Sequence, residues 1–187
     1  MILSWDNPSR SVRAMSLDGG RPCIDLLNTL HPAIPTAQAR YEDTRDLISE
    51  YGDILALAVR TAVLPAAEAD ALEARADRDP GSAALSLEKT RELRALLRRI
   101  ILKILRKEVP SARDLASFEA LRSTARSLEV LVWEDGRFRL RPRYLAEVFD
   151  APLLAFVRDA DEFLRSPDLA RVRAIRINTL EARFTLG

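Results

Sequence analysis

The chain has 187 residues, 48% of them hydrophobic, which sits within the usual size of one domain and is enough to bury a sizeable core. Its 29 Lys and Arg against 28 Asp and Glu exclude a strongly electrostatic partner such as bulk nucleic acid or an anionic membrane. Cys23 is the only cysteine, which excludes an intramolecular disulfide and a multi-cysteine metal site within these residues, and a reducing cytoplasm is the expected compartment.

Met1 to Pro8 has no basic region followed by an apolar run, so it does not read as a secretory signal. The longest apolar stretch, residues 54 to 67, is broken by Arg60 and Pro65 and is too short to span a bilayer. Val12, Ala14 and Leu17 then suggest a short strand that ends at Asp18-Gly19-Gly20. The two glycines give a flexible entry to a helix with Pro22 in its first turn, where a missing N–H costs nothing. Cys23, Leu26, Leu27 and Leu30 fall on one apolar stripe of that helix, and Asp25, Asn28 and Thr29 fall together on the other side. That polar trio is either a ligand-facing patch or a set of groups that solvate or satisfy backbone as the helix runs out before Pro32, and spacing favours the second.

His31, the only histidine, begins a proline-punctuated loop through Thr36 and reads as an ordinary loop residue. Leu47, Ile48, Tyr51, Ile54, Leu55, Ala58 and Ala62 recur at helical spacing after Asp43-Thr44, and a second helix runs from Pro65 to about Asp77. Asp79-Pro80 opens the longest helix, to about Lys107, whose stripe of Leu93, Leu96, Leu97, Ile100, Ile101, Ile104 and Leu105 marks it as the spine. Its many basic residues spread over a wide arc and pair with Glu88 and Glu92 at helical spacing, as on a solvated face. Arg94 differs, because it borders the apolar stripe and needs a carboxylate or carbonyl, for which Asp25 is a candidate.

Another helix starts at Ser111 and carries Leu115, Phe118, Leu121, Ala125 and Leu128. The period then changes to two: residues 129–133 and 137–141 flank Asp135-Gly136, a strong hairpin signal, with Arg137, Arg139 and Arg141 on one face and Phe138 and Leu140 on the other. A last helical region covers residues 143 to 165 with an interruption around Asp150-Ala151-Pro152, and residues 170–179 read as a strand. The expected fold is mainly α, a single-domain helical bundle with a small β-hairpin at about 129–141, which strands near 12–17 and 171–177 would extend.

Gly20-Arg21-Pro22-Cys23-Ile24-Asp25-Leu26-Leu27-Asn28-Thr29 resembles the glycine-led motif, ending in Leu-Asp-Phe-Val-Asn-Thr or a close variant, that opens the ABATE-type domain of the CGNR zinc-finger family of stress-induced bacterial transcription regulators. Leu27 stands where a larger residue or valine is common, and Leu57 or a neighbour replaces a tryptophan of the family's helical pair. The Leu93-Arg94 step resembles one in the family's central helix. The resemblance implies one ABATE-like domain over 1–187, with 168–187 the remnant of the start of the zinc-finger region. In relatives that region carries a Cys-Gly-Asn-Arg signature thought to bind zinc and contact DNA; residues 170–187 contain no cysteine, so neither the metal nor direct DNA binding carries over.

The resulting expectation is a non-catalytic regulatory or sensory domain without cofactor or metal, which binds a small ligand or a protein partner. Asp25, Asn28, Thr29 and Arg94 are the candidate ligand-binding residues. The alternatives are a small enzyme with Asp25, Asn28 and Arg94 in one pocket, and a weak nucleic-acid binder through the arginines of the hairpin and tail, whose binding would fall steeply with salt.

Overall fold

A computed structural model of the chain describes residues 11–32, 44–143, 147–177 and 180–187. In chain order the described helices are α1 (Pro22–Leu27), α2 (Tyr51–Arg60), α3 (Ala66–Ala76), α4 (Pro80–Leu105), α5 (Ala112–Ser127) and α6 (Ala151–Arg165). The strands are β1 (Leu30–Pro32), β2 (Thr44–Asp46), β3 (Glu129–Glu134), β4 (Arg137–Pro142), β5 (Val172–Ile177) and β6 (Leu180–Leu186), which pair only as antiparallel neighbours β1 with β2, β3 with β4 and β5 with β6. The fold is mainly α with small β ribbons, as its hydrophobic periodicity predicts.

The helix boundaries follow from local chemistry. Asp79 accepts a hydrogen bond from the Ser82 N–H at 3.1 Å, Pro80 occupies the first turn, and α4 runs 26 residues from there. Its stripe is buried from Leu93 through Ile101 against α1, α2, α5 and α6, which makes it the spine that the sequence predicts. Ser111 caps α5 by accepting from the Asp114 N–H at 3.1 Å. At α2 the helix begins later than its periodicity suggests. Thr44–Asp46 is a strand, and Asp53 accepts from the backbone N–H groups of Ser49 (2.8 Å) and Glu50 (3.1 Å), which fixes the start at Tyr51 and leaves Leu47 and Ile48 as buried anchors ahead of the helix.

Three further expectations are corrected. Val12–Ala14 is a 3-10 turn, because the Ser11 hydroxyl accepts from the Arg13 N–H at 3.1 Å and the Arg60 guanidinium holds the carbonyls of Val12 and Met15. It therefore adds no strand. The β5 strand does form, but it pairs with β6 and not with the 129–141 hairpin. Its partner lies beyond the segment that reads as strand, and Val172 and Phe184 carry the ribbon into the main core beside α1 and α4. His31 and Pro32 lie in β1, where the backbone of His31 opposes Arg45. The proline-rich stretch at 33–36, the apolar residues Tyr144 and Leu145, and the N-terminal segment 1–8 lie outside the described residues.

Gly19 and Gly20 are fixed rather than flexible. A Cβ on Gly19 would stand 2.8 Å from both the Asp25 backbone nitrogen and its Oδ1, and Gly20 has φ +74° with Leu186 against it. The double glycine lets the chain pass between the start of α1 and the end of β6.

Candidate functional site

The four residues singled out in sequence belong to α1, the turn that follows it and α4. Asp25, Asn28, Thr29 and Arg94 are all buried, at 4%, 0%, 0% and 7% exposure, so the polar side of α1 faces the interior as its apolar side does. The Asn28 amide docks on the backbone of β6: its Oδ1 accepts from the Phe184 N–H and its Nδ2 donates to the Phe184 carbonyl, both at 2.8 Å. In effect Asn28 supplies the pairing of a neighbouring strand residue. Thr29 donates to the Leu26 carbonyl at 2.7 Å and accepts from Arg94 Nη1 at 2.8 Å.

Arg94 does not pair with Asp25. Its guanidinium reaches both carboxylate oxygens of Asp46, which β2 presents over α4, while Asp46 also accepts from the Ile48 N–H at 2.9 Å. The two-residue step from β2 to Ile48, invisible to helical periodicity, places this carboxylate. Asp25 points the other way and accepts from the Gly19 N–H at 2.8 Å. Burial pushes its carboxyl up to about 6, against the lowering effect of the Gly19 hydrogen bond and with Asp18, Arg183 and Arg60 as the charges that act on it. The structure thus joins Thr29 to Arg94, joins Asn28 to the tail ribbon, and leaves Asp25 at the glycine turn.

Cys23 adds no reactive centre. Its thiol is buried and pushed well above the ordinary value, first by burial and then by Asp159. Its backbone N–H donates to Asp159 of α6 at 2.8 Å, and Asp159 also faces Arg21 at 3.3 Å, so this cluster fastens the start of α1 to α6.

A second region presents its chemistry outward. The register of β3 with β4 opposes Leu131 to Leu140 and Trp133 to Phe138, so these four side chains share one face of the ribbon. They are 62%, 62%, 63% and 67% exposed respectively for Leu131, Leu140, Trp133 and Phe138, and the two rings meet edge to face with centroids 4.8 Å apart. Arg139 and Arg141, on the opposite face, pair with Asp135 at 2.9 Å and Glu134 at 2.6 Å. The ribbon thus turns its apolar face to solvent.

At the root of that face, Glu129, Leu140 and Pro142 meet α5 and α6 around a groove of about 450 Å³. Arg122, Ala125 and Arg126 line it from α5, and Val157, Arg158, Asp161, Glu162 and Arg165 line it from α6, each set at one-turn spacing on a single helix face. Asp161 is its hub, 3.0 Å from Arg165, 3.2 Å from Arg126 and 3.7 Å from Arg122. Burial raises the Asp161 carboxyl, but the hydrogen bonds from Arg165 and Arg126 outweigh burial and hold it below the ordinary range. Sequence reading passed over these residues because every charge on α5 and α6 fits a solvated helix face; the combined one-turn spacing on two successive helices was the available signal.

Comparison with known proteins gave one match. No curated protein and no solved structure matches the chain. A protein-family model matches residues 20–167, from the second glycine of the turn through α6, and so includes both the buried polar residues Asp25, Asn28 and Thr29 and the groove. With that match over most of its length, the chain belongs to the ABATE family, described as "Putative stress-induced transcription regulator".

Proposed function

We propose that this domain is a non-catalytic regulatory module that works by association, and that the apolar face of the β3–β4 ribbon docks on the same face of a second copy. The observation that carries the reading is the exposure of Leu131, Trp133, Phe138 and Leu140 side by side. Together they present on the order of 500 Å² of apolar surface, at the upper end of what a monomer leaves in water. Two such faces stacked about a two-fold axis remove on the order of 1,000 Å², the size at which specific interfaces begin.

Binding at the buried Asp25, Asn28, Thr29 and Arg94 cluster is less favoured, because its side chains are directed at partners within the fold. A nucleic-acid reading is also less favoured, since Arg139 and Arg141 of the ribbon and Arg91 and Arg99 of the spine each pair with a carboxylate. Light scattering after size exclusion tests the proposal. Wild type should run at twice the chain mass of 21.0 kDa, and Trp133→Ser with Phe138→Ser should run at that mass with an unchanged circular dichroism spectrum. A wild-type monomer at about 100 µM would overturn it, as would a double variant that stays dimeric.

A further inference from the structure

We infer that the groove between α5, α6 and the root of the β3–β4 ribbon is a binding site for a small amphiphilic anion, a molecule with one acid group on a single apolar body, and that Arg158 receives the acid group. A volume of about 450 Å³ lies within the range of small-molecule sites. Its lining divides by chemistry: Leu140 and Pro142 offer apolar surface above the buried Ala125 and Val157, and four arginines and three carboxylates surround it.

The arginines are not equivalent. Arg122 is held by Glu119 at 2.7 Å, while Arg126 and Arg165 converge on Asp161. Among the described residues no carboxylate comes within ion-pair distance of Arg158, and Glu129 and Glu162 act on it only at longer range. Burial lowers the pKa of this guanidinium, the signature of a cation held partly out of water, while those two carboxylates oppose the shift. A guanidinium in that state gains most from a carboxylate or phosphate that approaches through the open side of the groove and accepts two parallel hydrogen bonds. The apolar surface beside it disfavours a bare inorganic anion as the preferred ligand, because such an ion leaves Leu140, 62% exposed, and Pro142 in water. The groove does not hold both chains of a phospholipid, and the occupant inferred is a free single-chain acid, which competition against vesicles distinguishes from a membrane headgroup.

Calorimetric titration of the full chain with octanoate, acetate and octan-1-ol tests both halves of the inference. Octanoate should saturate at one per chain, and acetate and octan-1-ol should each bind at least about tenfold more weakly, one for lack of apolar body and one for lack of charge. Arg158→Gln should weaken octanoate at least about tenfold, and Arg158→Lys should lose less, since it keeps the charge without the fork. Trp133 and Phe138 do not line the groove, so the Trp133→Ser, Phe138→Ser variant should still saturate with octanoate at one per chain, which separates this site from the association proposed for the ribbon. Equal affinity for octanoate and octan-1-ol, no saturation by octanoate, or a folded Arg158→Gln with wild-type affinity would each overturn it. So would co-sedimentation with phosphatidylglycerol vesicles that excess octanoate fails to compete. If Arg158→Gln does not fold, the comparison of acid with alcohol on the wild-type chain decides.

Discussion

Replacement of Asn28 by alanine probes how much of the fold depends on one side chain. Asn28 and Phe184 are both 0% exposed, and the two hydrogen bonds between them, each 2.8 Å, fasten β6 to the end of α1. Asn28→Ala leaves the Phe184 N–H and carbonyl buried without partners, which costs about 1–3 kcal/mol for each group, and it opens a small cavity as well. The sum is roughly 3–6 kcal/mol, a large part of the 5–15 kcal/mol that holds an ordinary domain. Thermal unfolding should therefore fall by about 10–20 °C for a chain of this size. Urea unfolding followed by circular dichroism measures the loss, and hydrogen exchange at the Phe184 amide shows where it arises. Asn28→Asp separates the two contributions: it fills the same space and still accepts from the Phe184 N–H, but it cannot donate to the carbonyl and should also destabilise. An alanine variant within about 1 kcal/mol of wild type, with Phe184 still protected, would refute the clamp.

Asp25 gives a pH signature of opposite sign to that of most carboxylates. Its folded pKa of about 6 lies above the model-compound value of 3.8, so between these values the folded chain holds a proton that the unfolded chain has released. The contribution of this group is greatest below pH 3.8 and is lost as pH rises through about 6, so Asp25→Asn should gain on wild type between about pH 4.5 and 7.5 in thermal scans; an equal difference at both pH values would refute the shift. Arg94→Met removes the guanidinium that joins Thr29 to Asp46 and should cost about 2–3 kcal/mol, below the figure for a fully buried pair because the Asp46 side chain is 29% exposed. Arg94→Lys should recover less than half of that in urea titrations, since one ammonium cannot span Thr29 and both Asp46 oxygens, and full recovery would show that charge alone suffices.

The helices were legible because periodicity and caps agree. Asp79-Pro80, Ser111 and Asp135-Gly136 each place an element boundary through an interaction among near neighbours, and those boundaries stand. The α1 segment was legible as a helix, although it ends at Leu27 and Leu30, expected on its apolar stripe, opens β1 instead; what surrounds it was not legible. A wheel with one apolar and one polar side predicts that the polar side meets water or a ligand, and here β6 meets Asn28 from 156 residues away in sequence, Arg94 meets Thr29 and the Gly19 turn meets Asp25. No local pattern records that contact. The same holds for Arg94: its need for a carboxylate was readable, but the choice of Asp46 over Asp25 depends on how β2 crosses α4. The groove was hidden for the converse reason. Salt-bridged charges at helical spacing look alike in sequence whether they lie on a free face or line a concavity between two helices.

These contacts assign different work to the two sides of α6. Asp159 faces α1, where it accepts from the Cys23 N–H and pairs with Arg21, and Phe156, Ala160 and Phe163 lie in the core. Arg158, Asp161, Glu162 and Arg165 face the groove. Arg158 and Asp159 are neighbours on one helix, so the groove and the Asp159 cluster that fastens α1 share a single element. Beyond that cluster α1 holds β6 through Asn28 and meets Arg94 through Thr29. The buried motif that resembles a ligand site in sequence is in the structure a junction that fastens α1 to α6, β6 and α4. The groove proposed as a binding site lies on the opposite side of α6 from Asp159, and Glu162 alone reaches back toward the motif, 3.7 Å from Arg21.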